Sequence, residues 1–138
     1  MRNSGVWERV SREPTVPREP LRQWLRDALE MEAWYRGQAA AGGRERAALL
    51  QLAEREAQNG GCLRGMLLSA GLTPPRLVSP GERRTLPDML ACCHRAGRNY
   101  AGCTADPEFG TVFAAMARRQ TEQTEGLLRL LSRGFAAK

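Results

Sequence analysis

Histidine is almost missing from this 138-residue chain, which carries one, His94. A single imidazole leaves little room for a nucleophile with its own base and orienting group; only a pairing of His94 with a cysteine stays open. The four cysteines, Cys62, Cys92, Cys93 and Cys103, include no CxxC pair. Their spacing fits no zinc site, and they read as free thiols of a reducing compartment. No apolar run approaches the roughly 18 residues of a membrane span, and the N-terminus lacks the apolar core of a signal peptide. A cytoplasmic protein with no membrane partner is expected. No glycine-rich phosphate loop occurs. β-Branched residues are few, which disfavours a sheet protein.

What is present favours helix. The chain is 42% hydrophobic and 26% charged, rich in Ala, Leu, Arg, Glu and Gln. Its length suits one domain with a core of its own. The net charge of +6 comes almost wholly from arginine. Those arginines are scattered, and the densest group, Arg83-Arg84, falls in an expected loop. A solvated surface is the reading, with no nucleic-acid partner.

Residues 1–20 hold Pro14, Pro17 and Pro20 among alternating charges and a lone Trp7. They read as an extended arm ahead of a helical domain spanning 21–138. The first helix is expected from Leu21 to about Ala41. Leu21, Trp24, Leu25, Ala28, Met31, Tyr35 and Ala39 form its inner stripe, Glu32 lies on the same face and Glu30 points away. The second runs from about Arg44 to Ala70 and is stopped by Gly71. Leu49, Leu52, Leu63 and Leu67 make its stripe, with Glu56 at the centre and Asn59 one turn on. Gly60-Gly61 marks a kink or a close helix approach.

Residues 72–86 hold three prolines, a connection long enough to cross a bundle from end to end. A third helix follows, from near Pro87 to about Cys103, with Thr85 a candidate cap. Leu86, Met89, Leu90, Cys93, Ala96 and Tyr100 face inward. Asp106-Pro107 opens a fourth helix running to about Arg133. Phe109, Val112, Phe113, Met116, Ala117, Leu127, Leu128 and Leu131 are expected inside, and Gln120 centres the stripe. Helices joined short, long, short predict an all-α antiparallel four-helix bundle with one long crossover between helices 2 and 3. The halves echo each other: Tyr35 precedes Glu56 by 21 residues and Tyr100 precedes Gln120 by 20.

The segments LLQLAEREAQ and DPEFGTVFAAMARRQTEQTEGLLRLL resemble the second-helix motifs of the ferritin-like superfamily, most closely its rubrerythrin-like branch, over about 21–133. Each hairpin of that family supplies a Glu from its first helix and an E-x-x-H motif from its second, together holding two iron or manganese ions. Glu56 keeps its place in the pattern. Asn59 stands where a His is expected, and Gln120 and Gln123 replace the second Glu and His. Seven residues before the tyrosines stand Ala28 and Cys93 in place of carboxylates. Glu32, one turn beyond Ala28, is the substitute ligand to consider beside Glu56.

The resemblance therefore implies the fold while arguing against its chemistry. Amides are weak ligands that bring no charge. A polar core of Glu32, Tyr35, Glu56, Asn59, Cys93, Tyr100, Gln120 and Gln123 is expected to form one hydrogen-bonded network instead. If Glu32 and Glu56 approach each other, one should have a raised pKa. No cofactor and no enzymatic activity are expected. The role is then structural or interactive, with a homodimer as one candidate assembly and Trp34 and Trp7 as candidate contacts. Two alternatives stay open. One is a residual iron- or manganese-dependent oxidoreductase using Glu56 and Glu32; the other is a small-ligand site in the bundle core.

Overall fold

The computed structural model describes residues 18–76 and 84–137. Among them are four helices and no strand: α1 (Arg18–Ala40), α2 (Arg46–Ser69), α3 (Leu86–Ala101) and α4 (Gly110–Ser132). The first helix starts three residues before the expected boundary and takes in Pro20. A proline in the first turn removes an N–H that has no intrahelical partner anyway, so Pro20 need not stand outside. Trp7 and the rest of the expected arm before Arg18 lie outside the described residues.

Local chemistry fixes the helix ends. Thr85 caps α3 as expected: its hydroxyl accepts from the Asp88 amide at 3.2 Å, and the Asp88 carboxylate accepts from the Thr85 amide at 2.8 Å. Those bonds hold the Asp88 carboxyl below its ordinary pKa. The Asp106 carboxylate accepts from the amides of Glu108 and Phe109, at 3.0 and 2.6 Å. It thereby shapes a turn before α4, which begins at Gly110, later than the Asp-Pro signal alone suggests. A β-carbon on Gly110 would strike the Thr104 carbonyl, so the turn admits only glycine. Gly71 closes α2 with φ +74, its amide donating to Leu68 O while that of Leu72 reaches Leu67 O at 2.8 Å.

Contacts between helices give the topology. Going up α1, Trp24 meets Tyr100 and Tyr35 meets Cys93, so α3 runs opposite to α1. Gly60 faces Leu25 while Arg36 pairs with Glu54, so α2 also opposes α1. Glu45, Glu56 and Asn59 meet Arg133, Gln120 and Met116, which makes α4 antiparallel to α2. Helices α2 and α3 therefore point the same way. The connection between them must travel the length of the bundle, about 36 Å for a helix of 24 residues.

The core is a seam at alternating three- and four-residue spacing. On α4 it is Phe113, Met116, Gln120, Gln123, Leu127 and Leu130, all at most 1% exposed. Leu128 and Leu131, expected inside, are 49% and 47% exposed. Each lies about 100° from a seam residue, Leu127 or Leu130, and in a run of four leucines (127, 128, 130 and 131) hydrophobicity alone does not fix the phase. A β-carbon on Gly60 would sit 3.7 Å from Leu25 and 3.9 Å from Ala28, ordinary contact distances, and one on Gly61 would meet nothing within 4 Å. The helix runs through both as one element, so no close approach requires glycine at either position.

Candidate functional site

The polar centre lies on the α2–α4 seam. Glu56 is 0% exposed, one turn from Leu52 and from Asn59 on the inner face of α2. Among the described residues its carboxylate meets no cation directly. Gln120 Nε2 donates to Oε1 at 2.8 Å, and Gln123 Nε2 donates to Oε2 at 2.9 Å. The second Gln123 proton goes to the Leu52 carbonyl at 2.6 Å. Turning either amide over would set its oxygen against the carboxylate, so the orientation of both is dictated by the charge they face.

Two of the amide oxygens meet arginines. Gln123 Oε1 accepts from Arg55 at 3.4 Å. Asn59 lies a turn along, donating through Nδ2 to the Met116 carbonyl at 3.2 Å and accepting from Arg119 at 3.0 Å. Gln120 Oε1 is buried with no partner among the described residues. Burial pushes the Glu56 pKa up to about 7, against the pull of the two amide bonds, and the charge of Glu32 adds to the rise.

The expected single network is in fact divided. Glu32 stands apart, its carboxylate taken by Arg36 at 2.8 Å and its side chain 24% exposed. The partner sits four residues along the same helix, a spacing that favours such a pair over a buried role. Tyr35 and Cys93 pair with each other, hydroxyl to thiol at 3.3 Å, across α1 and α3. Burial raises both, Cys93 up to about 12, so the thiol stays protonated and is a poor nucleophile. Tyr100 OH is buried with no partner among the described residues, and its pKa is raised by burial. Its ring packs at an edge to Trp24, with centroids 6.1 Å apart.

Arginines supply what the sequence pattern missed. Arg55 and Arg119 reach in from the flanks of α2 and α4, their charges at the rim and their stems over the core. Arg84, expected as a solvated loop residue, is half-buried. It donates to Cys92 Sγ and to Glu30, both at 2.8 Å, so Glu30 is paired across to the crossover. Trp34, a candidate contact residue, is half-buried: its ring N–H bonds the Arg84 carbonyl at 3.1 Å and its ring makes a T-shaped contact with Tyr35. His94 is exposed and off the core.

Ligation of two hard metal ions needs oxygens converging on one point. Here N–H groups converge on the Glu56 carboxylate, and two of the three amide oxygens serve guanidinium groups. The donor set has the opposite polarity and does not fit a di-metal centre. Among the described residues no three His, Cys, Asp or Glu side chains gather as a metal would require. No helix among them is long and apolar enough to cross a membrane. Comparison of the chain with protein-family models, with characterised proteins and with solved structures gives no match.

Proposed function

We propose that this chain is a ferritin-like, rubrerythrin-like bundle whose di-metal site has been rebuilt as a carboxylate–amide clamp, and that it serves a structural or interaction role without catalysis. The observation that carries this reading is Glu56, fully buried with both oxygens held by amide N–H groups from α4. Two positive ions in the ancestral arrangement would neutralise the inner carboxylates. Here two amides do part of that work, and a pKa of about 7 does the rest by letting the carboxyl take a proton. The parallel course of α2 and α3, with the long crossover it demands, supports the same origin. Four free cysteines suit a reducing, cytoplasmic setting.

The test is metal loading. Protein grown with excess iron or manganese, desalted and measured by elemental analysis, should carry far less than one ion per chain. Two tightly held ions per chain would overturn the proposal and restore the oxidoreductase reading. Light scattering after size exclusion would show whether a second copy is the partner.

A further inference from the structure

Beside the clamp, sharing Leu52 and Arg55 with it, a groove of about 190 Å³ lies between α2 and α4. Its lining includes Arg55, Arg129 and Arg133, with Gln51 and Ala48 from α2 and Gly126 at the base, and no carboxylate. We propose that this groove binds a phosphate group, either free phosphate or the phosphomonoester of a small molecule.

Three features support the assignment. The guanidiniums keep donors to spare. Arg55 meets Glu122 at 3.7 Å, a loose ion pair, and Arg133 donates one long hydrogen bond to Glu45 at 3.4 Å, each guanidinium keeping further N–H groups. Arg129 makes no ion pair among the described residues. Gly126 also shapes the place. A β-carbon there would come within 2.8 Å of Leu52 Cδ2 and 3.9 Å of an Arg129 guanidinium nitrogen. The exposed Arg129 guanidinium thus lies near the open space that the glycine leaves. Arg55 is held from two sides, by Glu122 and by Gln123 Oε1, so part of its ordering cost is met before any ligand arrives. Planar guanidiniums match tetrahedral oxyanions in geometry as well as charge.

The experiment replaces chloride by phosphate at constant pH and ionic strength and follows thermal unfolding of the full chain. Phosphate should raise the midpoint in a saturable way. A parallel series with glycerol 2-phosphate separates free phosphate from an ester by the tighter of the two. Arg129→Gln, at an exposed position, should weaken the apparent affinity about ten-fold, as loss of one charge-assisted contact does. Arg118→Gln, exposed and outside the groove, should respond as the parent does. Equal midpoints in chloride and phosphate would overturn the site, as would an Arg129→Gln response equal to that of the parent. A loss shared equally by Arg118→Gln would mean diffuse surface charge and would overturn it too. As a check that does not depend on stability, the Gly126 and Gln51 amide resonances should shift on phosphate titration. Their standing still would also count against the groove.

Discussion

The two seams of the bundle solve burial differently. Between α2 and α4 a carboxylate, two glutamines and an asparagine are buried, and the carboxylate is bonded at both oxygens. Between α1 and α3 the buried groups are the Tyr35 and Tyr100 rings, the Cys92 and Cys93 thiols, Met31, Met89 and aliphatic side chains, and the tyrosine hydroxyls are weakly served. Tyr35 shares one bond with Cys93, and Tyr100 OH has no partner among the described residues. Geometry and charge specify the first seam, while volume specifies the second. The α2–α4 seam should therefore respond sharply to loss of a donor and to pH, and the α1–α3 seam to neither.

The largest effect should come from emptying the clamp. Gln120→Leu with Gln123→Leu leaves Glu56 without donors and should cost about 3–5 kcal/mol at pH 8, where the carboxylate is charged. The cost should shrink near pH 5, where it is protonated. Urea unfolding at the two pH values measures both.

Next comes pH itself. The Glu56 pKa is near 7 in the folded chain, against an ordinary value of 4.5. A group raised in this way binds its proton more tightly when folded. Its contribution is fully present below about pH 4.5 and is lost as pH rises to about 7, amounting to about 3 kcal/mol. Glu56→Gln should flatten that slope in a stability–pH profile, and an unchanged slope would assign it elsewhere.

A smaller effect, of opposite sign, should appear on the other seam. Tyr100→Phe removes a buried hydroxyl that lacks a partner and should stabilise by up to about 1 kcal/mol. Tyr35→Phe, which breaks a bond to sulfur, should cost about 0.5–1 kcal/mol. Thermal melts of the pair would show whether the α1–α3 seam is governed by volume. Least of all, Leu128→Ala at its exposed position should stay within about 0.5 kcal/mol.

Much of this was legible in the sequence. Periodicity placed Glu56 and Gln120 at matching centres, loop lengths implied the crossover, and Thr85 announced its cap, whereas Asp106 shapes a turn and the fourth helix starts only at Gly110. What pattern could not supply was the choice among competing partners. Glu32 and Glu56 were both placed on inward arcs, yet Arg36 takes the first and the amides of Gln120 and Gln123 hold the second. Arginines such as Arg55, Arg84 and Arg119 read as surface because a sequence shows their charge and not the route of the stem. The α4 leucines were misphased because 127, 128, 130 and 131 leave two stripes almost equal in hydrophobicity.

The clamp joins residues far apart in the chain: Gln120 and Gln123 lie 64 and 67 positions from Glu56, on the other hairpin. Neither hairpin alone can close it. In an open chain the carboxyl is hydrated and ionises in its ordinary range; once the hairpins meet, it titrates near 7. Between those values, assembly of the bundle draws about one proton from the surrounding water. A lightly buffered solution with an indicator dye should turn more alkaline as the chain refolds at pH 6, and Glu56→Gln should abolish that uptake.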